Sequence, residues 1–578
     1  CLDERTDVDM KKFRKNLARK ILCGLLAAGV VGVGGSALAA DITYGDTFKN
    51  QNGGNEYTNV SENAFFNDNT AHNVGTVADN VIFKAPAGGS ATNTGHHALV
   101  VTGNGTKVDI NADKISVGSA EAGNFRGFRV TGKDNNVLTV HANEFISYTG
   151  DEIAHARNGL NIINLGTADK HIGYFEAHTT WGKDDYGVAL LQANEGSTVN
   201  LYADKAFLDG STNKLGGVIG TGGYGIVNVN VGDLTIDGNI CGTYGTRNDP
   251  SQKAELNIVT NTLNMKGNVN IGSEGSGSSN FSRNTEVNIK VADKAVIDGN
   301  INVLGNSGTK DNTADSSTLN IEFNGDSQIK GDINVKGSTE TQNATVNLGG
   351  TGDMTASKGV FNVGNSGNVN FTGGKWAVKE WKGDGTGDAA IGEKATVNIE
   401  ANAMKTETLA VNGKANLIGG NAKVKTKNLS GDNGTVTTDS LDNSISADSS
   451  TANSLIVQGT GDIADAIQRD ASNAQKLADV VSTGEGEAKK SVASEVKTAE
   501  GKVGGAYYAK VDEHGNIDTA SEVHAENTTN RAITDMASIS IMTWRAENND
   551  MNKRLGELRD SKGEHGAWAR MARGESKY

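Results

Sequence analysis

Between about Asp41 and Lys425, apolar and polar residues alternate in short runs, with Val and Ile on one parity and Asn, Thr or Lys on the other. A period of two is the mark of a strand with one buried face. The runs also recur. An apolar-Asn-apolar triplet stands at Val199-Asn200-Leu201, Val227-Asn228-Val229, Leu256-Asn257-Ile258, Val287-Asn288-Ile289 and Leu319-Asn320-Ile321. It returns at Val346-Asn347-Leu348, Val369-Asn370-Phe371 and Val397-Asn398-Ile399, so the central asparagines step by 28, 29, 31, 32, 27, 23 and 28 residues. A second motif follows 10 or 11 residues behind, at Ile236-Asp237-Gly238-Asn239-Ile240, Met265-Lys266-Gly267-Asn268-Val269, Ile297-Asp298-Gly299-Asn300-Ile301 and Ile329-Lys330-Gly331-Asp332-Ile333. Two registered strands per repeat, joined by a turn, make a structural unit.

One such strand pair cannot bury its own apolar face. Stacked on its neighbours it can, each rung adding ~4.8 Å and pairing its backbone with the rungs above and below. The pattern predicts an all-β fold, a parallel β-helix of roughly 15 rungs and ~70 Å over residues 40–425. A β-propeller blade needs four strands and about 40 residues or more, longer than this repeat. Asparagines at this period can stack into side-chain ladders. Ala-Asp-Lys at Ala112–Lys114, Ala168–Lys170, Ala203–Lys205 and Ala292–Lys294 marks tight corners. Before residue 195 the pattern is looser, and the longer intervals read as loops.

Composition agrees with a thin core. Of 578 residues only 36% are hydrophobic and 5% aromatic, with 75 glycines but just 2 prolines. Residues 1–39 carry a net +3 inside a total of −15, so the remainder carries −18 and would repel a phosphate backbone. Nucleic acid is not an expected partner.

The positive charge lies in an address. Met10 opens a stretch holding Lys11, Lys12, Arg14, Lys15, Arg19 and Lys20, and an apolar run from Ile21 to Gly35 follows. Ser36-Ala37-Leu38-Ala39-Ala40 then supplies small residues around a cleavage point after Ala39. Residues 10–39 thus read as a secretory signal peptide, and 1–9 as an upstream over-extension. Of Cys1, Cys23 and Cys241, cleavage leaves only Cys241, expected as a small buried apolar residue.

After Lys425 the texture changes. Residues 462–481 read as a short amphipathic helix with Ile463, Ile467, Ala474, Leu477 and Val481 near one face, and Gly504–Val511 as a closing strand. A solenoid exposes an unpaired edge at its last rung, so a cap is expected over 426–520. A helical pattern follows over about 525–560, with Ile533, Met536, Trp544, Met551 and Leu555.

Here the residues resemble a family. Asn552-Lys553-Arg554-Leu555-Gly556-Glu557-Leu558-Arg559-Asp560 is similar to the junction between passenger and translocator in type V secretion autotransporters. Gly566-Ala567-Trp568-Ala569-Arg570 is similar to the first strand of their outer-membrane barrel, and 426–511, more loosely, to the autochaperone cap of pertactin-like passengers. The resemblance implies a right-handed parallel β-helix as passenger, a β cap, and a linker helix leading into a barrel that begins at 561–578 and is truncated, because a single strand cannot satisfy its backbone in lipid. It implies export through the periplasm, partnership with the outer membrane and its barrel-assembly machinery, and a monomeric passenger at the cell surface or released from it. Some relatives cleave themselves in this junction by attack of an asparagine side chain on its own carbonyl. The matching positions are Asn549 and Asp550, the second changed from Asn to Asp.

Other chemistry is sparse. Gly305-Asn306-Ser307-Gly308 and Gly364-Asn365-Ser366-Gly367 echo a serine nucleophile loop, but geometry defines a triad and these read as turns. His96, His97, His72, His141, His155, His171 and His178 show no ligand spacing and read as loop histidines. Trp376 and Trp381 read as packing against a rung, with a carbohydrate patch as the alternative. No cofactor, metal or catalytic residue is expected. The leading expectation is a non-enzymatic adhesin or host-interaction surface with a matrix or glycan ligand. The alternatives are an enzyme passenger (a hydrolase or polysaccharide lyase), its site sought within 41–195, and a purely structural surface component.

Overall fold

The computed structural model describes residues 41–560 apart from 45–48, 51–63, 85–96, 121–124, 151, 180–188, 212–216, 223, 245–252, 273–283, 306–315, 338–342 and 365. All described residues but Asp41 belong to the unit that begins at Ile42. The chain is mostly β. Its described strands form one sheet of 29 and another of 13, here called the long and the short sheet.

The repeat seen in the sequence is the pairing unit. Thr198–Asp209 pairs in parallel with Ile226–Asp237, that strand with Lys253–Lys266, and that one with Asn284–Asp298. Register puts Val199, Val227, Leu256, Val287, Leu319, Val346 and Val369 in one inward column, all fully buried. Between visits to the long sheet the chain crosses the short one, where Ala189–Asn194, Gly217–Gly222, Asn239–Tyr244, Val269–Ile271 and Ile301–Leu304 also pair in parallel, each with the next. Strands related by one repeat are therefore neighbours throughout, the pairing expected of stacked coils.

Two of the four Ala-Asp-Lys corners are not turns. Ala203–Lys205 and Ala292–Lys294 lie inside continuous strands. Ala203 and Ala206 are buried while Asp204 and Lys205 between them are both exposed, so the alternation slips phase and the strand bends without breaking. The Gly-Asn motif does make turns, and stacking explains its glycine. A Cβ on Gly299 would meet the Gly267 carbonyl oxygen at 2.0 Å, and one on Gly331 the Gly299 oxygen at 2.1 Å. The next residue then bridges repeats: Asn239 Oδ1 accepts from Asn268 N (2.8 Å), and Asn268 Oδ1 from Asn300 N (2.7 Å).

Among the described residues most phenylalanines are buried. Tyr44, Phe83, Phe128, Phe145 and Phe175 form a continuous run of ring contacts, 4.8 to 5.9 Å between centroids. Phe361 stacks on Trp381, and Phe371 packs on Trp376. Both tryptophans are buried, and their indole N–H groups donate to Gly373 O and Lys405 O. They belong to the core.

At Asp388 the repeat changes. The last strand of the short sheet is Glu380–Lys382, and beyond it both strands of each repeat lie in the long sheet. This corrects the asparagine count: Asn370 faces Ala390, and Asn398 faces Ala377 and opens a new column with Asn416, only 18 residues away. Parallel pairing continues past Lys425, through Lys423–Ser430 with Ser444–Ser450, to Ile456–Gly459 with Glu495–Thr498. Antiparallel strands then close the edge, Tyr507–Lys510 against Glu495–Thr498 and Val523–His524 against Tyr507–Lys510.

The single helix read over 462–481 is two, α1 (Gly461–Arg469) and α2 (Ser472–Ala478). Asp470 is extended (φ −149°, ψ 108°) and its carboxylate accepts from Ser472 N, which ends one helix and starts the next. Ile463, Ile467, Ala474 and Leu477 are buried as read, but Val481 lies in a strand against Ile445. A third helix, α3, runs Thr528–Asp560 and exposes Ile533, Met536, Ile539, Ile541, Met542, Trp544 and Met551. Among the described residues no helix is long and apolar enough to cross a membrane.

Candidate functional site

Histidines read as loop residues sit in strands. His72, His97, His141, His155 and His178 all do. Two of them organise polar clusters across repeats.

The first cluster lies under the early strands of the short sheet. The Glu152 side chain, 4% exposed, contacts Arg126 at 3.4 Å and His155 Nδ1 at 3.0 Å. His155 Nε2 lies 3.1 Å from the Asn194 amide nitrogen. One assignment satisfies every contact: Nδ1–H donates to Glu152, and Nε2 accepts from Asn194. A ring nitrogen capped by an amide N–H offers no lone pair for taking a proton from a nucleophile. The cluster ties three repeats together.

The second lies on the outer face of the long sheet. Tyr174, Glu176 and His178 share one side of the strand Ile172–Thr179. Tyr174 OH donates to Glu176 Oε2 (2.5 Å), and His178 Nε2 lies 2.6 Å from Glu176 Oε1. Its Nδ1 reaches Asp209, one repeat on, at 3.0 Å, while Tyr148, one repeat back, stacks on the ring at 4.6 Å. The hydrogen bond to Glu176 pushes the Tyr174 phenol up to about 12. Bonds from His178 and then Tyr174 hold the Glu176 carboxyl below its usual range. Burial pushes the Asp209 carboxyl up, but bonds from Ser211 and His178 outweigh it and hold the group low.

These shifts give the cluster a pH dependence. Tyr174 keeps its proton better folded than unfolded, so its contribution is intact below pH 10.0 and is lost as pH rises through about 12. Glu176 and Asp209 contribute above the ordinary carboxylate range and lose that contribution as pH falls through their lowered folded values. In an ultraviolet titration of the folded chain, one phenol should ionise near pH 12. Glu176→Gln should bring it back toward 10.0. A Tyr174 that titrates identically in both proteins would contradict the geometry.

The most extended feature is a row of asparagines on the outer face of the long sheet. Asn200 donates to Asn164 Oδ1, Asn228 to Asn200 and Asn257 to Asn228, at 2.8 to 2.9 Å. Asn288, Asn320, Asn347 and Asn370 continue it, each donating to the one before at 2.6 to 2.8 Å. Eight side chains are joined by seven bonds, all pointing the same way. Asn288→Ala removes two of these and should cost about 1–2 kcal/mol in urea unfolding, whereas Asn370→Ala removes one and should cost about half as much. Equal costs would mean that the bonds carry no stability.

Over the middle of this row lies a groove of about 790 Å³. Asn257, Asn288, Asn320 and Asn347 form its floor, Val259 its apolar rim, and Gly349, Gly350 and Thr372 line one end. Its charged residues, Lys290 and Glu322, pair with each other at 2.9 Å. No motif marked this groove, but the row of outward asparagines was visible as the repeat itself.

Of the remaining expected positions, Ala37, Ala39 and Ala40 lie outside the described residues, as do Gly566, Trp568 and Arg570. Asn549 and Asp550 are exposed in α3, and the helix continues through Asn552, Lys553, Arg554, Gly556, Leu558, Arg559 and Asp560, whose side chains are not described. Ser366 sits in the tight connection before Gly367–Val378, with φ of 61°. Cys241 is buried beside Ala189. Among the described residues no group of three or more His, Cys, Asp or Glu side chains is placed to hold a metal ion. Comparison with protein-family models, curated proteins and solved structures finds no match to the chain.

Proposed function

We propose that this chain is the passenger of a type V secretion autotransporter, a right-handed parallel β-helix with a C-terminal β cap, displayed at the cell surface as a non-enzymatic binding protein. The observation that carries the reading is coil-on-coil parallel pairing from Ala71–Val74 to Glu495–Thr498, closed by antiparallel strands. Parallel crossovers within a sheet are almost always right-handed, which supports a right-handed coil. The signal-like residues 10–39 and the junction-like residues 552–560 supply the route. The cap strands give the last coil a finished edge against which preceding coils can pair, so a chain emerging C-terminus first folds onto a template. In this reading α3 is the linker that threads the barrel lumen, and its exposed Ile533, Met536 and Trp544 face the barrel wall.

The polar clusters favour binding over catalysis. His155 and His178 have both ring nitrogens engaged, and their carboxylates are held by hydrogen bonds that stabilise structure. The test is protease shaving of intact cells that produce the protein. Peptides from 64–524 should be released by external protease while a periplasmic marker stays intact. Recovery only after the outer membrane is opened would overturn the reading.

A further inference from the structure

We infer that the groove over the asparagine row holds a neutral polysaccharide laid along the stacking axis. The inference rests on the reading of the chain as a surface binding protein and supplies its ligand class. The floor repeats amides at the rung spacing of ~4.8 Å, close to the advance of one pyranose ring along a sugar chain. Each ladder bond uses one N–H and one lone pair of a side chain that has two of each. Among the described residues, Asn257, Asn288 and Asn347 make no other side-chain hydrogen bond, while Asn320 gives its second N–H to Glu286 at 3.0 Å. The floor therefore presents both donors and acceptors, the requirement for hydroxyls, which are both at once.

The rim supplies the other half of sugar recognition. Val259 is 44% exposed beside the amides, an apolar seat for the C–H face of a ring. At one end Gly349 and Gly350 bring bare backbone to the groove, and the Thr372 hydroxyl standing over Gly349 adds a further hydrogen-bonding group for a sugar.

Charge selects among polymers. Lys290 and Glu322 cancel, and Glu286, which reaches the row, is paired with Lys253. With the region beyond residue 39 carrying −18, an anionic chain finds no cationic seat and a general repulsion. An extended peptide fits the floor poorly, since its side chains on one face repeat every two residues, about 6.6 Å, out of step with the rungs.

The test is affinity electrophoresis of the full chain through gels containing dextran, mannan, soluble β-glucan or xyloglucan, with heparin, polygalacturonate and gelatin as further arms. At least one neutral polymer should retard the wild type. Val259→Glu should weaken that retardation at least tenfold, and Val503→Glu, the same change at an exposed cap position, should leave it intact. Val259→Lys serves as a second rim variant, and thermal unfolding of each variant checks the fold. Retardation by no neutral polymer, or by heparin, polygalacturonate or gelatin alone, would overturn the inference, as would equal retardation of the Val259→Glu and Val503→Glu proteins. None of these outcomes touches protease shaving, which reads display without any ligand.

Discussion

Phe145→Ala should cost about 3–5 kcal/mol, among the largest effects of any single truncation in this chain. The ring is fully buried, 4.8 Å from Phe175 and 5.9 Å from Phe128, and these contacts continue to Phe83 and Tyr44. Removing the middle ring leaves a void with neighbours on both sides, and coils held by backbone ladders cannot slide together to fill it. Each repeat touches only its neighbours, so the loss should be local. Hydrogen exchange should show protection falling in Val137–His141, Glu144–Thr149 and Ile172–Thr179, while Glu495–Thr498 keeps its own. A cost under 1 kcal/mol, or uniform loss along the chain, would mean that the aromatic run is not a packed unit.

The second large effect is expected at Gly299. Its φ lies outside the left-handed region, so any residue could adopt its backbone; what forbids a side chain is the Gly267 carbonyl 2.0 Å from where a Cβ would stand. Gly299→Val must push two coils apart at a point where Gly267 N donates to Asp298 O and Asn300 N to Asn268 Oδ1. Overpacking typically costs about 1–3 kcal/mol and occasionally more, and a clash with backbone places this variant at the upper end. Asp298→Ala, one residue away, loses an exposed ion pair with Lys330 and should cost under about 0.5 kcal/mol. Chemical denaturation of the two variants separates stacking from turn chemistry. Similar small costs would show that the coils part easily.

Alternation was enough to place the inward column from Val199 to Val369, because a period of two with a fixed recurrence has few other solutions. It failed at Asn398 for a physical reason. The triplet Val397-Asn398-Ile399 looks like its predecessors, but the short-sheet strand has been dropped, and the register passes to a different column. The corner at Ala203–Lys205 looked like a turn because its two polar residues interrupt the alternation; a backbone that bends while still paired leaves the same trace. The single helix over 462–481 failed because Asp470 and Ser472 make a local bond that outcompetes the continuing stripe.

The polar clusters were harder to read. Glu176 and His178 stand two apart on one strand face, a signal that was available. Their partner Asp209 is 31 residues further on, and Asn194 is 39 residues from His155. Such pairs depend on the register across irregular connections, which the looser pattern before residue 195 does not reveal. The groove was less hidden: the same outward asparagines that announce the repeat line its floor.

The loss of the short-sheet strand after Glu380–Lys382 has a consequence for the order of assembly. Asparagine partners are 27 to 32 residues apart from Asn200 to Asn347 but only 18 apart at Asn398 and Asn416. Bringing two chain positions together costs entropy that grows with the logarithm of their separation, so each shorter turn closes for about 0.4 kcal/mol less. The difference is small per turn but acts in the same direction at each turn from Asp388–Ile399 to Ile456–Gly459, where contacts are most local and formation is expected to be fastest. The last pairings, Ile445 with Val481 and Ile456 with Glu495, close over longer spans. Refolding followed by pulsed deuterium labelling should find Lys423–Ser430 and Ser444–Ser450 protected before Thr198–Asp209, and the reverse order would show that closure entropy does not set the sequence of events.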